Sequence, residues 1–368
     1  MNQVIFLTTV FITYVLINFY IFRKGWIALK AAPIRVIYTA GFLLCWLAFP
    51  VAMLGRDVFP LVILKPLYFT GTSWIGISLY LLIIFTFSDA ILIKRLRRFK
   101  NIRIQVAGAY IISICIAMYG YLKFINPTVI EQEIVINKPA THRALRIVGV
   151  SDLHLGIGIG KERLKCYVRL INEQKPDIVL IAGDLVDNTI RPLEEERMYE
   201  ELRLIDAPMG VYACTGNHEY MGSGMEKCRE FFNKADIILL EDSVTLIDSA
   251  LWIICRDDIK GNPNRKPLDS LLRKTDASMP LILLDHEPNR IEEAHSCGID
   301  LLFSGHTHNG QMFPGNIISS MIFEIPHGYA KRGTMHCFVS SGLGIWGPLF
   351  RIGTESDMVV FNMRFSEP

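Results

Sequence analysis

Charge is what this 368-residue chain lacks over its first third. Residues 1–22, 36–55, 66–88 and 104–122 carry no side-chain charge at all. Helices of a soluble bundle each need a polar face, so the absence excludes a water-soluble reading of these stretches. Each is dense in Ile, Leu, Val, Phe, Tyr and Trp. Each is also long enough to cross about 30 Å of hydrocarbon at 1.5 Å per residue. No basic segment precedes the first stretch and three more follow it, which argues against a cleaved signal peptide. Internal repeats and low-complexity tracts are absent as well. The net charge of +2 favours neither a binder of polyanions nor an acidic, solvated chain.

Lysine and arginine are unevenly shared among the loops that join the apolar stretches. Arg23, Lys24, Lys30 and Arg35 lie between the first two, and Lys94, Arg95, Arg97, Arg98, Lys100 and Arg103 between the last two. The middle loop offers only Arg56 and Lys65, and nothing basic precedes the first stretch. The positive-inside rule places both rich loops in the cytoplasm. A four-span transmembrane region over residues 1–125 and a second domain over 126–368 are therefore expected. That domain would lie outside the cytoplasmic (inner) membrane of a bacterium. Its length suffices for one globular core. The basic run is wedged between two spans and lacks a folded reader, so no nucleic-acid partner is expected.

Cysteine is sparse in the second domain: Cys166, Cys214, Cys228, Cys255, Cys297 and Cys337. An even six can pair in an oxidising compartment. However, Cys214, Cys255 and Cys337 lie within or beside apolar runs, where free cysteine behaves as a small hydrophobe, and a large domain needs no staples. Buried free thiols are the expected state. Six free thiols would in turn favour an internal domain, against the loop charges.

Five short clusters follow in the second domain, with no cysteine among them. They are Asp152-Leu-His154, Gly183-Asp184-Leu-Val-Asp187, Gly216-Asn217-His218-Glu219, His286, and Gly305-His306-Thr-His308. Most stand where a short apolar run ends: Leu145–Val150, Ile178–Ala182, Val211–Cys214, Leu281–Leu284 and Ile299–Phe303. Runs of this length, bounded by Gly, Pro, Asn or Asp, suit strands buried on both faces. Helical stretches at Lys161–Glu173, Met225–Lys234 and Asn289–Ser296 alternate with them, which implies βαβ units in an α/β domain. The alternation from Val129 to Ile136 suggests a first strand. Ligands of such sheets gather beyond the carboxyl ends of the strands. Taken singly, Asp152 or Asn217 reads as a turn or cap residue, His286 as a structural histidine, and His-x-His as a weak metal signal. Their joint occurrence is the signal.

The clusters occur in the order found in the calcineurin-like metallophosphoesterases, and the chain resembles that family from Glu131 onward. The segments Gly305-His-Thr-His-Asn-Gly-Gln311 and Ser340–Gly353 resemble the bacterial membrane-associated phosphodiesterase branch, which more often has glycine where Asn309 stands. The resemblance implies a β-sandwich flanked by helices. It also implies two divalent metal ions, the first held by Asp152, His154, Asp184 and His308. The second would be held by Asp184, Asn217, His286 and His306, with Asp184 bridging. His218 would stay off the metals, stabilise developing negative charge and protonate the leaving oxygen, with Asp187 orienting its ring. The chemistry agrees, because a carboxylate can bridge two cations and a neutral imidazole normally cannot. Two cations about 3.5–4 Å apart can share a hydroxide and clamp both oxygens of an in-line displacement. The mixed donors suit Mn²⁺, Fe or Zn²⁺ better than Mg²⁺ or Ca²⁺.

The expectation is a membrane-anchored phosphoesterase. Tethering at a bilayer favours a phosphodiester or pyrophosphate on a lipid or envelope glycolipid. The rivals are a phosphomonoesterase or protein phosphatase, and a non-catalytic metal-dependent sensor in which His218 has no role. Six features stand outside the clusters. His142, His295, His327 and His336 read as structural, with His327 in a loop the nearest to substrate. Arg256-Asp257-Asp258 lines the cleft or forms a solvated turn, and Asp89 reads as interfacial.

Overall fold

Where no water can serve the backbone, a chain closes its hydrogen bonds internally, and the uncharged stretches do so as helices. The computed structural model describes residues 3–94 and 101–367. They divide into two compact units, Met1–Leu122 with Gly347–Phe350, and Lys123–Trp346 with Arg351–Pro368. The first holds α1 (Gln3–Ala28), α2 (Ala32–Leu54), α3 (Leu61–Lys94) and most of α4 (Ile102–Ile125). All four are long and apolar enough to cross a membrane. Ile21, Phe42, Trp74, Leu81, Phe85 and Ala109 form their common interior. Val36, Ile37, Leu54 and Ile104 face outward, as lipid-facing side chains do.

Interhelical contacts pair several polar residues of this unit. The Trp74 indole N–H donates to the buried Asn18 side chain at 2.7 Å. Helix α1 runs on through Arg23 and Lys24, past the end of the charge-free stretch, because Lys24 finds a partner. Its Nζ lies 2.5 and 2.7 Å from the two carboxylate oxygens of Asp89, and the Tyr20 hydroxyl donates to the same group at 2.8 Å. Asp89 thus sits within α3 as half of an interhelical ion pair. At Gly71 the backbones of α2 and α3 approach closely, since a Cβ there would lie 2.2 Å from the Phe49 nitrogen.

The second unit is a sandwich of two six-stranded sheets. The chain order is β1 (Thr128–Pro139), β2 (Ala144–Val150), α5 (Lys161–Glu173), β3 (Ile178–Ala182), α6 (Arg191–Glu195), α7 (Met198–Leu202), β4 (Val211–Cys214), α8 (Met225–Lys234), β5 (Ile238–Leu239) and β6 (Ser243–Ile247). It continues with β7 (Leu251–Cys255), α9 (Leu268–Leu272), β8 (Leu281–Leu284), α10 (Ile291–Ser296), β9 (Leu301–Ser304), α11 (Gly315–Ile322), β10 (Gly328–Arg332), β11 (Met335–Val339) and β12 (Asp357–Ser366). One sheet runs β1-β12-β2-β3-β4-β5 and the other β10-β11-β9-β8-β7-β6.

The apolar runs are strands because both of their faces are covered. Ile147, Leu180 and Phe361 of one sheet pack with Ile253, Leu284 and Phe303 of the other. Helix α5 presents Leu164, Tyr167, Val168 and Ile171 inward, at the spacing of one helical face. The sandwich flanked by helices is therefore the architecture observed. All eight cysteines are free, and Cys214, Cys228, Cys255 and Cys337 are buried.

Candidate metal centre

The strands that carry the clusters end together. In one sheet β2, β3 and β4 are parallel neighbours, and so are β8 and β9 in the other. Asp152 and His154 follow β2, Asp184 and Asp187 follow β3, and Asn217 and His218 follow β4. His286 follows β8, and His306 and His308 follow β9. Each run thus stops where its side chains reach the carboxyl-end edge of the sandwich.

The backbone there is held in unusual conformations. Asp152, His154, Asp184, His306 and His308 all have positive φ, at 52°, 47°, 52°, 71° and 48°. Non-glycine residues hold such angles at a cost of about 1–3 kcal/mol each, and they concentrate at functional sites. Two glycines make room for the carboxylates. A Cβ at Gly216 would lie 2.2 Å from Asp184 Oδ1, and one at Gly305 would lie 2.3 Å from Asp152 Oδ2.

Glu219, in the third cluster but without a role from sequence, ties the loops together. Its buried carboxylate accepts the backbone N–H groups of Asp184, Val186 and Gly216 at 3.0, 3.0 and 2.7 Å. Glu219→Ala would leave these buried donors unpaired, at about 1–3 kcal/mol apiece if all stay dry. A net loss of about 3 kcal/mol lowers the midpoint of a domain this size by roughly 6–12 °C. Thermal melting of the full-length variant in detergent checks this, and an unchanged midpoint would refute the tie.

Six candidate ligands meet in two groups, Asp152-His154-His308 and Asp184-His286-His306, each with its donor atoms within 4.8 Å of one another. In the first, Nε2 of His154 lies 3.1 Å from Nε2 of His308, which is 3.4 Å from Asp152 Oδ1. In the second, Nδ1 of His306 lies 3.3 Å from Nε2 of His286, which is 3.2 Å from Asp184 Oδ2. The same Asp184 oxygen is 3.8 Å from Nε2 of His154, so this carboxylate stands between the groups.

These separations suit ions. Donors bound at about 2.1 Å and at right angles lie about 3.0 Å apart. Asn217 Oδ1 is buried with no hydrogen-bond partner, and an amide oxygen so placed is a fitting cation ligand. His286 Nδ1 donates to the Ala182 carbonyl at 2.8 Å, which fixes the tautomer and leaves Nε2 free to coordinate. Burial, the largest cause for each, pushes His306 down to about 2 and holds His308 well below the usual histidine range. Both rings are thus neutral and can coordinate.

His218 belongs to a third group, with His154 and Asp187. Its Nδ1–H donates to the Asp187 carbonyl, and the Asp187 carboxylate lies 3.3 Å from the same nitrogen. Burial opposes the charged ring, but Asp187 and Asp184 outweigh it and push His218 up to about 9. Asp187, buried likewise, is held well below the usual carboxylate range by its bonds with His154 and His218.

Several supporting residues gave no signal of their own. Arg351, fully buried, donates to the carbonyls of His308, Ser341, Gly342 and Gly344 at 2.5–2.9 Å, fastening the closing segment to the metal loop. Arg256-Asp257-Asp258 is buried, so the solvated turn is ruled out. Arg256 and Arg265 both face Asp285, the residue before His286, with Arg265 bound at 2.8 and 3.2 Å. Lys260, two residues past that segment, sits 3.1 Å from His306 Nε2 and 2.6 Å from Glu287. His327 bonds Asp357 at 2.7 Å, His336 bonds Tyr329 at 2.8 Å, and His142 bonds Asp248 at 2.8 Å. His295 lies 3.6 Å from Glu292. All four are taken up by neighbours outside the two ligand groups.

Residues 145–310 match the model of the calcineurin-like phosphoesterase family. A metallophosphoesterase of Helicobacter pylori J99 is 32% identical over 244 residues, which are 65% of this chain and 64% of that one. A zebrafish (Danio rerio) protein described as a transmembrane protein with a metallophosphoesterase domain is 31% identical over 270 residues, 69% of this chain and 61% of its own. The chain thus spans somewhat under two thirds of the length of these two relatives. An Aquifex aeolicus metallophosphoesterase is 30% identical over 259 residues, 69% of this chain and 98% of its own length. Likeness carried through nearly a whole relative, on top of the family match from β2 to the metal loop, makes this chain a member of the calcineurin-like phosphoesterase family.

Proposed function

We propose that the chain is a membrane-anchored, two-metal phosphoesterase that cleaves a phosphodiester or pyrophosphate borne by a lipid or an envelope glycolipid. The observation that carries this reading is Asp184, whose carboxylate stands between two histidine-rich ligand groups beside the unpaired oxygen of Asn217. Asp152, His154, Asp184 and His308 would hold one ion, and Asp184, Asn217, His286 and His306 the other, with Mn²⁺, Fe or Zn²⁺ suited to the donors. Bound there, the ions supply Lewis-acid polarisation of phosphoryl oxygens and a lowered pKa for the attacking water.

The chain's own part is orientation and proton delivery. His218 carries its proton through neutral pH, since its affinity is raised to about 9. Asp187 holds Nδ1, which leaves Nε2 to donate to the leaving oxygen. Lys260, half exposed beside His306, is placed to meet a substrate phosphate.

The four apolar helices keep the site at a bilayer and so raise the local concentration of lipid-borne esters. The loop charges favour a domain outside the cytoplasm, and the free thiols weigh the other way, toward an internal domain. Protein in detergent with Mn²⁺ should hydrolyse bis-p-nitrophenyl phosphate faster than p-nitrophenyl phosphate, and chelation should stop it. Faster monoester turnover would point to a phosphomonoesterase. A folded, metal-loaded protein that turns over neither compound would point to a sensor.

A further inference from the structure

From Met312 to Phe323, directly after the metal loop, the chain has no charged side chain. Most of this segment is α11, and the helix is inside out. A surface helix of a soluble domain turns its apolar residues inward. Here Ser319 is buried, whereas Ile317, Ile318, Met321 and Ile322 are 44%, 56%, 79% and 67% exposed. Phe313 and Trp346 add to the same exposed set, at 45% and 52%.

Both ends of α11 are fixed to the metal loop. At its start a Cβ on Gly310 would lie 2.1 Å from the Gly315 carbonyl carbon, so the two backbones touch. Gln311 donates to the Trp346 carbonyl at 3.0 Å, which ties in the tryptophan. At its end the Phe323 ring stands edge-on to His306, with centroids 6.1 Å apart. Thr307, between the two metal-loop histidines, donates to the Pro326 carbonyl at 2.6 Å. The apolar face is therefore a fixed rim of the site.

We propose that this rim seats in the apolar layer of the bilayer to which the chain is anchored, and so presents the metal centre to phosphates at headgroup depth. This rests on the reading of the chain as a phosphoesterase of lipid-borne esters. A contiguous exposed apolar face needs an apolar partner. Helices α1–α4 supply one, because they tether the domain to a bilayer at high effective concentration. The rim's chemistry matches hydrocarbon, as it offers no charge to pair, and an interfacial tryptophan flanks it. A lipid could then keep its acyl chains in the membrane while its phosphate enters the site.

The test uses full-length protein and one leaving group on two carriers. Bis-p-nitrophenyl phosphate is the soluble probe, and a diacylglyceryl p-nitrophenyl phosphate in phosphatidylethanolamine–phosphatidylglycerol vesicles is the membrane-borne one. The double variant I318E/M321E should leave hydrolysis of the soluble diester unchanged and lower that of the vesicle diester by at least about tenfold. Independently, a photoreactive benzophenone amino acid replacing Met321 should form adducts with lipid when the protein is irradiated in those vesicles. Adducts to a second copy of the chain, or no lipid adduct together with an unaffected double variant, overturn the proposal. The two readings separate cleanly. A parent that forms the lipid adduct but cleaves neither probe keeps the seat and loses the phosphoesterase reading. A parent that cleaves both probes without any adduct does the reverse.

Discussion

Asp184→Asn is expected to lower kcat/KM for a phosphodiester by about 10³-fold or more, since a metal's Lewis-acid contribution is several kcal/mol and each 1.36 kcal/mol is a decade. Asp184 is buried, and its Oδ2 faces both His286 and His154. Its Oδ1 accepts the backbone N–H of His218 at 2.9 Å. Asparagine keeps the shape and can still accept that bond, so the loops should stay folded. What it removes is the one negative charge set between the two ligand groups. Metal content measured by mass spectrometry should fall together with activity, while the melting curve keeps its cooperative form. Retained turnover in a variant that has lost metal would sink the assignment.

His218→Asn is expected to lower turnover by about 10²–10⁴-fold, the usual range for a general acid, with metal content unchanged. The ring bonds Asp187 and stands edge-on to the ligand His154, with centroids 4.5 Å apart, and asparagine keeps the backbone N–H that donates to Asp184 Oδ1, so the ligand loops should stay in place. The loss should depend on the leaving group. An alkoxide must be protonated as it departs, whereas p-nitrophenolate leaves well without help. Alkyl diesters should therefore suffer more than nitrophenyl diesters. An equal loss on both, or a loss of metal, would mean that His218 acts through structure or as a ligand.

Much of the domain was legible because its strands are buried on both faces. Ile178–Ala182, Val211–Cys214 and Leu281–Leu284 read as uninterrupted apolar runs for that reason, and helix α5 showed its inward face through Leu164, Tyr167, Val168 and Ile171. The donors were legible because each follows such a run. What sequence spacing hides is which buried group needs which partner. Glu219 has no visible role until three backbone N–H groups converge on it. Arg256 looks like part of a turn until Asp285 is found buried beside it. His327 has the local character of a binding loop, yet the buried Asp357 claims it. The charge-free pattern ends the first span at Phe22, but Lys24 continues within the helix because Asp89 neutralises it across the bundle. Helix α11 was missed because its short apolar face points outward and gives no inward periodicity to find.

Metal content and diester turnover, measured on the same preparation of full-length protein, test the central claim most directly. The account predicts about two divalent ions per chain, with hydrolysis of bis-p-nitrophenyl phosphate lost on chelation and recovered as the second equivalent is returned. Undiminished hydrolysis by the metal-free protein, or a folded protein that binds no divalent ion at these residues, would contradict it.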